Sequence, residues 1–468
     1  MSSDDQPTRT FHVTTLGCPK NQVDSDKLTG TLLSDGLVPA ASPDEADVVV
    51  VNTCAFIGPA REESVNTILE LDELRKDGAE LVVTGCMAER YGDELAEALP
   101  EVERIAPFGA ALVNPALAPE VPPASSTTST TSTTSTAVPV VIGATRAAPS
   151  TSQAASIGAG EPTLVTPSFD LLELPRPKAA APWAYVKVAE GCDRACGFCA
   201  IPSFRGPQRS RSMASILGEV EALEVAEVVL VAQDLAAYGR DQGQGERSIV
   251  PLVQAVAERA EWVRLLYLYP SDLTDELVET MAATGVPYFD LSLQHVSRPL
   301  MRRMRRWGSG ELFSERIATI RRQLPDATFR SNFIVGYPGE TEADHDALLA
   351  FVDEVQLDWC GFFAYSEEEG THGATLEPKV PPTLIAERLA ELSERQDRIT
   401  ALGRDARIGT DTTVLVDSPG EARSTGEAPE IDGIISVPTG LAVGTFHRVT
   451  ITDSLGPDLV AEPCGSQA

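Results

Sequence analysis

Apolar residues along this chain fall into short runs separated by segments of helical period. In the first hundred residues three such runs occur, FHVTTLG (11–17), ADVVVVNT (46–53) and AELVVTG (79–85). Between them stand KLTGTLLSDG and EESVNTILELDELRKDG, which carry apolar residues at the 3.6-residue spacing of an amphipathic helix. Strand alternating with helix predicts a small parallel α/β sheet. A second series follows: AYVKVAE (184–190), EVVLVAQD (227–234), VRLLYLYP (263–270), YFDLSLQH (288–295), FRSNFIVGYP (329–338) and CGFFAYS (360–366). Helical segments such as SMASILGEVEALEVA and ELFSERIATIRRQL lie between them, so six β/α units predict a complete or partial barrel, here (β/α)6, with its reactive face at the carboxyl ends of the strands. After about Ala401 the pattern changes to TTVLVD, GIISVP and HRVTITD broken by Gly, Pro and Asp, which reads as a small all-β barrel.

Between the first two series, from Ala118, the chain reads APEVPPASSTTSTTSTTSTAVPVV, too poor in large apolar residues to offset the entropy of ordering. The expected division is therefore an α/β domain over 9–117, a disordered linker over 118–177, a barrel domain over 178–400 and a β-barrel over 401–465.

Composition narrows the function. Of 468 residues 43% are hydrophobic, enough for sizeable cores, and no run approaches the roughly 18 apolar residues of a spanning helix. The polar, acidic start MSSDDQPTRT lacks the apolar core of a secretion signal, so a cytoplasmic protein with no membrane association is expected. The net charge of −32 argues against direct nucleic-acid binding and favours a basic protein as partner. The segment from Ala401 to the end shares this acidity, with four Arg and no Lys against ten Asp plus Glu.

Eight cysteines in a chain of this length are too few for a disulfide framework, and a reducing compartment leaves them as thiols. Cys192, Cys196 and Cys199 form CxxxCxxC in EGCDRACGFCAIPSFRG. A structural zinc site wants four ligands and a catalytic one usually draws on His or carboxylate. Three thiolates alone favour an iron–sulfur cluster with one iron left open. Cys18, Cys54 and Cys86 each follow an apolar run of the first domain, and ligands in open α/β sheets gather beyond the carboxyl strand ends.

CxxxCxxC after the first strand of a β/α barrel resembles the radical S-adenosylmethionine superfamily. That resemblance implies a [4Fe-4S] cluster on Cys192, Cys196 and Cys199, whose open iron binds S-adenosyl-L-methionine and yields a 5′-deoxyadenosyl radical on reduction. Phe198 would then shield the adenine side. The segments LGCPKNQVDSDKL, VVNTCAFIGPAREES and VVTGCMAERYGDEL are similar to the N-terminal domain of the methylthiotransferase (MTTase) family. By that match Cys18, Cys54 and Cys86 hold an auxiliary [4Fe-4S] cluster, and the C-terminal β-barrel is of the kind called TRAM. Within the family, GCPKNQVDSD, GPQRSR and APEIDGIISV resemble the RimO branch, which methylthiolates the β-carbon of an aspartate in ribosomal protein S12, free or in the small ribosomal subunit. An electron donor such as flavodoxin or ferredoxin and a sulfur source are implied as partners. The alternatives are methylthiolation of an adenosine in tRNA, which would use the same cysteines, and an iron–sulfur electron carrier or binding scaffold without catalysis.

Other candidates rest on position. Gln294 and His295 close an apolar run where catalytic residues would sit, and Gln233 and Asp234 close another. SNFIVGYPGETE resembles the superfamily's cofactor-supporting strand, which places Asn332, Gly336 and Glu340 beside S-adenosylmethionine; for Gly336 a tight turn is the plainer reading. The run RPLMRRMRRW offers Arg302, Arg303, Arg305 and Arg306, read either as a solvated helical face or as cations reaching the mouth to meet an acidic substrate. Cys360 is expected in the core, and Cys464 lies in the tail.

Overall fold

The computed structural model describes residues 8–113, 163–164, 169–243 and 248–465. The first domain comprises β1 (Thr10–Thr15), α1 (Pro19–Ser34), β2 (Val38–Pro39), β3 (Val48–Thr53), α2 (Gly58–Leu74), β4 (Glu80–Gly85), α3 (Cys86–Ala98), β5 (Arg104–Ala106) and β6 (Thr163–Leu164). They build a six-stranded sheet in the order β2-β1-β3-β4-β5-β6, parallel throughout. The central strand β3 is VVVVNT, buried at every position, as a β-branched run covered on both faces should be.

Most of the expected linker lies outside the described residues. Where its end is described, it is part of the fold: Leu171 and Leu172 are buried, and Lys27 Nζ donates to the Leu172 and Leu174 carbonyls at 2.6 and 3.1 Å.

The second domain opens with β7 (Trp183–Lys187), β8 (Ala189–Glu190), α4 (Ile201–Arg205), β9 (Arg209–Ser210) and α5 (Met213–Leu223). It continues with β10 (Glu227–Val231), α6 (Ile249–Ala257), β11 (Trp262–Leu265), α7 (Asp275–Ala283), β12 (Tyr288–Gln294), α8 (Arg298–Arg303) and α9 (Gly310–Gln323). The last elements are β13 (Thr328–Val335), α10 (Glu342–Val355), β14 (Trp359–Ala364) and α11 (Pro382–Asp405). Two three-stranded parallel sheets, β11-β10-β7 and β12-β13-β14, are joined by a parallel bridge between Leu268 and Leu291. The result is an open half-barrel of six strands in sequence order. Helix α1 of the first domain covers its open side, with Val23 packed in one cluster with Tyr185, Val229 and Val231.

Strands β15 (Asp411–Ser418), β16 (Glu421–Arg423), β17 (Ile435–Ser436), β18 (Phe446–Leu455) and β19 (Asp458–Pro463) form a closed barrel. It docks on the amino ends of the half-barrel strands. Glu227, first in β10, accepts from Arg264 at 2.7 Å and from Arg423 at 2.8 Å; Tyr288, first in β12, donates to Asp432 at 2.5 Å; and Trp359, first in β14, donates to the Gly426 carbonyl at 2.8 Å. The carboxyl ends are thereby left for chemistry. No helix among the described residues is long and apolar enough to cross a membrane.

Candidate functional site

Because β1, β3 and β4 are neighbours, the residues that follow them meet at one sheet edge. Cys18 caps α1, Cys54 follows β3 and Cys86 begins α3, so two of the three thiols stand at helix N-termini. Glycine makes this packing possible. A Cβ on Gly17 (φ +93°) would lie 2.9 Å from Cys54 Cβ, and one on Gly85 (φ +90°) 2.3 Å from Asn52 Oδ1. Burial, with Cys86 and Cys18 facing it, pushes the Cys54 thiol up to about 12. Burial also acts against the Cys18 thiolate, but Lys20, the Asn21 N–H and Arg205 outweigh it and lower the pKa.

The second trio lies on the loop between β8 and α4. Gly191 (φ +77°) lets the loop fold onto itself, since a Cβ there would come within 2.1 Å of the Pro207 carbonyl oxygen, and the Cys192 N–H donates to Gly206 at 3.1 Å. Gly197 is pinned from both sides, donating to Met304 at 2.7 Å and accepting from Gly373 at 2.6 Å. The Arg194 N–H reaches Cys192 Sγ at 3.4 Å, and Arg306 Nη1 reaches Cys196 Sγ at 3.4 Å. Burial, with Asp234 and Cys196 beside it, pushes Cys192 up to about 11, and burial, with Cys196 and Cys192 beside it, pushes Cys199 up to about 12.

Among the described residues no three His, Cys, Asp or Glu side chains converge as ligands of a single metal ion. In a four-iron cube each thiolate binds its own iron, so three thiolates suffice to hold one with an iron left open. The donor set fits as well: all thiol, with N–H and guanidinium groups directed at the sulfurs. Cys360 is half-buried on β14, and Cys464 is exposed near the end of the chain.

A buried ion network joins the trios. Arg205, 9% exposed, donates to Cys86 Sγ and Asn21 Oδ1 at 3.0 Å, to Asp24 at 3.2 Å and to both oxygens of Glu190 at 3.0 Å, and its guanidinium lies 4.1 Å from the Phe108 ring. Lys187 pairs with Asp24 and, at 2.6 Å, with Glu190. Burial opposes ionisation of Glu190, yet Arg205 and Lys187 pull it down to about 2. A second clamp lies nearby. Glu368, 1% exposed, accepts from Arg61 at 2.5 Å and Arg90 at 2.7 Å, while Ser366 accepts the Gly58 N–H at 3.0 Å.

The remaining candidates divide into residues at the mouth and residues supporting it. Gln233 Nε2 donates to Glu190 at 2.7 Å and leaves its carbonyl oxygen buried without a partner. Asp234 pairs with Arg194 at 2.5 Å and also keeps one oxygen unpartnered. Phe198 packs against Leu300, Met304 and Tyr337. Asn332 Oδ1 is unpartnered and sits 2.8 Å from where a Cβ on Gly361 would be. Gln294 has φ +73°, at a register irregularity between β12 and β13.

Gly336 (φ +87°) and Glu340 are occupied by the fold: one Glu340 oxygen accepts the Gly336 N–H at 2.5 Å and the other accepts from Arg388 at 2.8 Å. His295 is wholly buried, accepts the Ser297 N–H at Nδ1 (3.1 Å) and leaves Nε2 unpartnered. Its titratable neighbours are Asp344, His345 and Arg388, not the cysteines, and burial lowers its pKa to about 4. Of the arginine run, Arg303 is held by the Pro338 and Glu377 carbonyls and Arg302 and Arg305 are exposed, so only Arg306 reaches a cysteine. Arg205 and Glu190, which lie inside the quoted cysteine motif, were not distinguishable there as site residues; their importance comes from the contact with the first domain.

Comparison with known proteins covers most of the chain. Residues 10–106 match the family model described as Uncharacterized protein family UPF0004, residues 186–352 the Radical SAM superfamily and residues 408–464 the TRAM domain. The "Ribosomal protein uS12 methylthiotransferase RimO" of Moorella thermoacetica is 40% identical over 435 residues, covering 91% of this chain and 92% of that protein. The protein of the same name from Cutibacterium acnes is 39% identical, covering 98% of each chain. Among solved structures, the radical S-adenosylmethionine methyltransferase TsrM from Kitasatospora setae aligns at a TM-score of 0.47 and 14% identity, over 76% of this chain and 72% of that one.

Proposed function

The chain belongs to the RimO family of radical S-adenosylmethionine methylthiotransferases, and from that premise we propose that it replaces a Cβ–H bond of an aspartate in ribosomal protein uS12 with C–SCH3. The supporting observation is that buried Arg205 donates both to Cys86 of one all-thiol trio and to Glu190, two residues from Cys192 of the other, which comes from a separate domain. Cys192, Cys196 and Cys199 would hold the cluster that binds S-adenosylmethionine, and Cys18, Cys54 and Cys86 an auxiliary cluster. Bound there, these groups supply a radical able to remove hydrogen from carbon and a sulfur able to accept and pass on methyl.

The protein contributes placement. Arg205, Lys187, Asp24 and Glu190 fix the first domain against the half-barrel, so one substrate carbon can meet both centres without a search. Helix α1 closes the open side of the barrel, and Gln233, Asp234 and Asn332 line the mouth with buried oxygens that lack partners. Such oxygens await a donor, which the amino and hydroxyl groups of S-adenosylmethionine would provide. The acidic C-terminal barrel suits a basic ribosomal protein and opposes RNA. A low-potential electron donor and a sulfur source complete the partner set.

Mass spectrometry of uS12 and of tRNA from cells with and without this gene tests the assignment. The expected result is loss of one methylthio increment from uS12 with unchanged tRNA. Loss from tRNA instead would overturn it.

A further inference from the structure

Buried cations in this acidic chain are generally matched by carboxylates. With 69 Asp plus Glu against 37 Lys plus Arg, partners are abundant. Lys187, Arg205, Arg264, Arg388 and Arg423 each hold at least one. Lys20, in the first turn of α1, departs from this pattern. It is half-buried, and among the described residues its ammonium makes neither an ion pair nor a hydrogen bond. It rests instead on the face of Tyr267, 3.5 Å from Nζ to the ring centroid, close enough to Cys18 to favour the thiolate.

Tyr267 lies just past the carboxyl end of β11 in a left-handed conformation (φ +66°), which a non-glycine residue adopts only when its surroundings impose it. Its N–H donates to Asp290 at 3.0 Å, and Asp290 is already engaged by Arg330 at 3.1 Å. Two residues on, Tyr269 carries Arg306 over its ring at 4.0 Å, and Arg306 touches Cys196. The short segment from Tyr267 to Tyr269 therefore spans from the neighbourhood of Cys18 to that of Cys196, with Lys20 at one end.

We propose that Lys20 is the residue that receives the side-chain carboxylate of the acceptor aspartate. The inference rests on the uS12 reading and specifies how that substrate is recognised. In aspartate the carbon to be substituted is bonded directly to the carboxyl carbon, so anchoring the carboxylate places Cβ within one bond length of a fixed point. An ammonium held on an aromatic face by one N–H still has donors on its far side for an incoming anion, and the α1 N-terminus adds positive potential behind it. An adenine base offers no anion to this position, and asparagine offers no charge. The arginine run is less suited: Arg303 is saturated by carbonyls, and Arg302 and Arg305 are exposed.

The test measures affinity of the reconstituted full-length protein for purified uS12 and for uS12 with its acceptor aspartate changed to asparagine. The unaltered protein should bind the aspartate form about tenfold more tightly, the scale of one charge-assisted contact. Lys20→Met should bind both forms alike, and Lys20→Arg should keep most of the preference. Lys20→Gln replaces the methionine variant if that one folds poorly. A full aspartate preference in Lys20→Met or Lys20→Gln overturns the assignment of Lys20 and leaves the uS12 reading intact. Failure of the unaltered protein to bind either form, both as purified uS12 and in small ribosomal subunits carrying it, overturns the uS12 reading itself, and the proposal with it.

Discussion

His295 allows a quantitative check of how the half-barrel is built. Its ring is wholly buried, and burial lowers its pKa from 6.5 to about 4, with Asp344 acting in the other direction. The folded-state value lies below the unfolded one. Between the two the unfolded chain binds more protons, so stability falls as pH drops through that window. Linkage over the interval from pH 7.5 to pH 5 gives a loss of about 2 kcal/mol from this residue, rising to about 3 kcal/mol by pH 4. His295→Asn removes the titration and retains an acceptor for the Ser297 N–H, whose bond to Nδ1 is 3.1 Å. The smaller side chain costs stability at every pH, but that cost cancels when slopes are compared. Urea unfolding of both proteins at several values between pH 7.5 and pH 5 should show the variant losing about 2 kcal/mol less than the parent. Asp432, which burial raises to about 6, contributes with the opposite sign, but it is common to both proteins and drops out of the difference. Parallel pH dependences would refute a buried neutral imidazole.

Other outcomes follow from the same geometry. Arg205→Met leaves Asp24 and Glu190 to share Lys187 and should cost about 3–5 kcal/mol, read as a lowered urea midpoint of the cluster-free protein; Arg205→Lys should recover part of it. Gly85→Ala forces a Cβ to 2.3 Å from Asn52 Oδ1 in a left-handed conformation, so iron bound after reconstitution should fall toward half while the other trio still loads. Cys196→Ala should lower bound iron from about eight to about four per chain and abolish cleavage of S-adenosylmethionine, whereas Cys360→Ala should leave the iron content unchanged.

The half-barrel was legible because each of its six strands is an apolar run of four to eight residues, and the cysteine trios because cysteine is rare here and each lies just beyond such a run. Strands as short as β2, β5 and β6 carry no periodicity to read; they exist because a neighbouring strand offers unpaired backbone. Side-chain roles were harder to read, for a related reason. His295 and Gln294 are adjacent in sequence, yet one is buried against the helical layer and the other turns at a strand irregularity, and alternation alone does not choose between these fates. Glu340 is expected beside the cofactor from the resemblance of SNFIVGYPGETE to a cofactor-supporting strand, but the Gly336 N–H occupies one of its oxygens and Arg388 the other.

The deeper limit concerns pairing. Net charge is visible in the composition, but which cation is left without an anion depends on tertiary contacts alone. Lys20 and Lys187 cannot be told apart by residue type. One is buried against Asp24 and Glu190, 163 and three residues away, while the other rests on a tyrosine ring beside Cys18. The same contacts tie the two domains together. A buried arginine that donates both to a cysteine of the first domain and to a carboxylate two residues from a cysteine of the second couples their positions through short bonds in a medium of low dielectric. Displacing either domain would expose an unpaired buried charge, at a cost of several kcal/mol. The ion network therefore helps to fix the two thiol trios relative to one another, and a substrate carbon anchored at Lys20 would inherit that geometry.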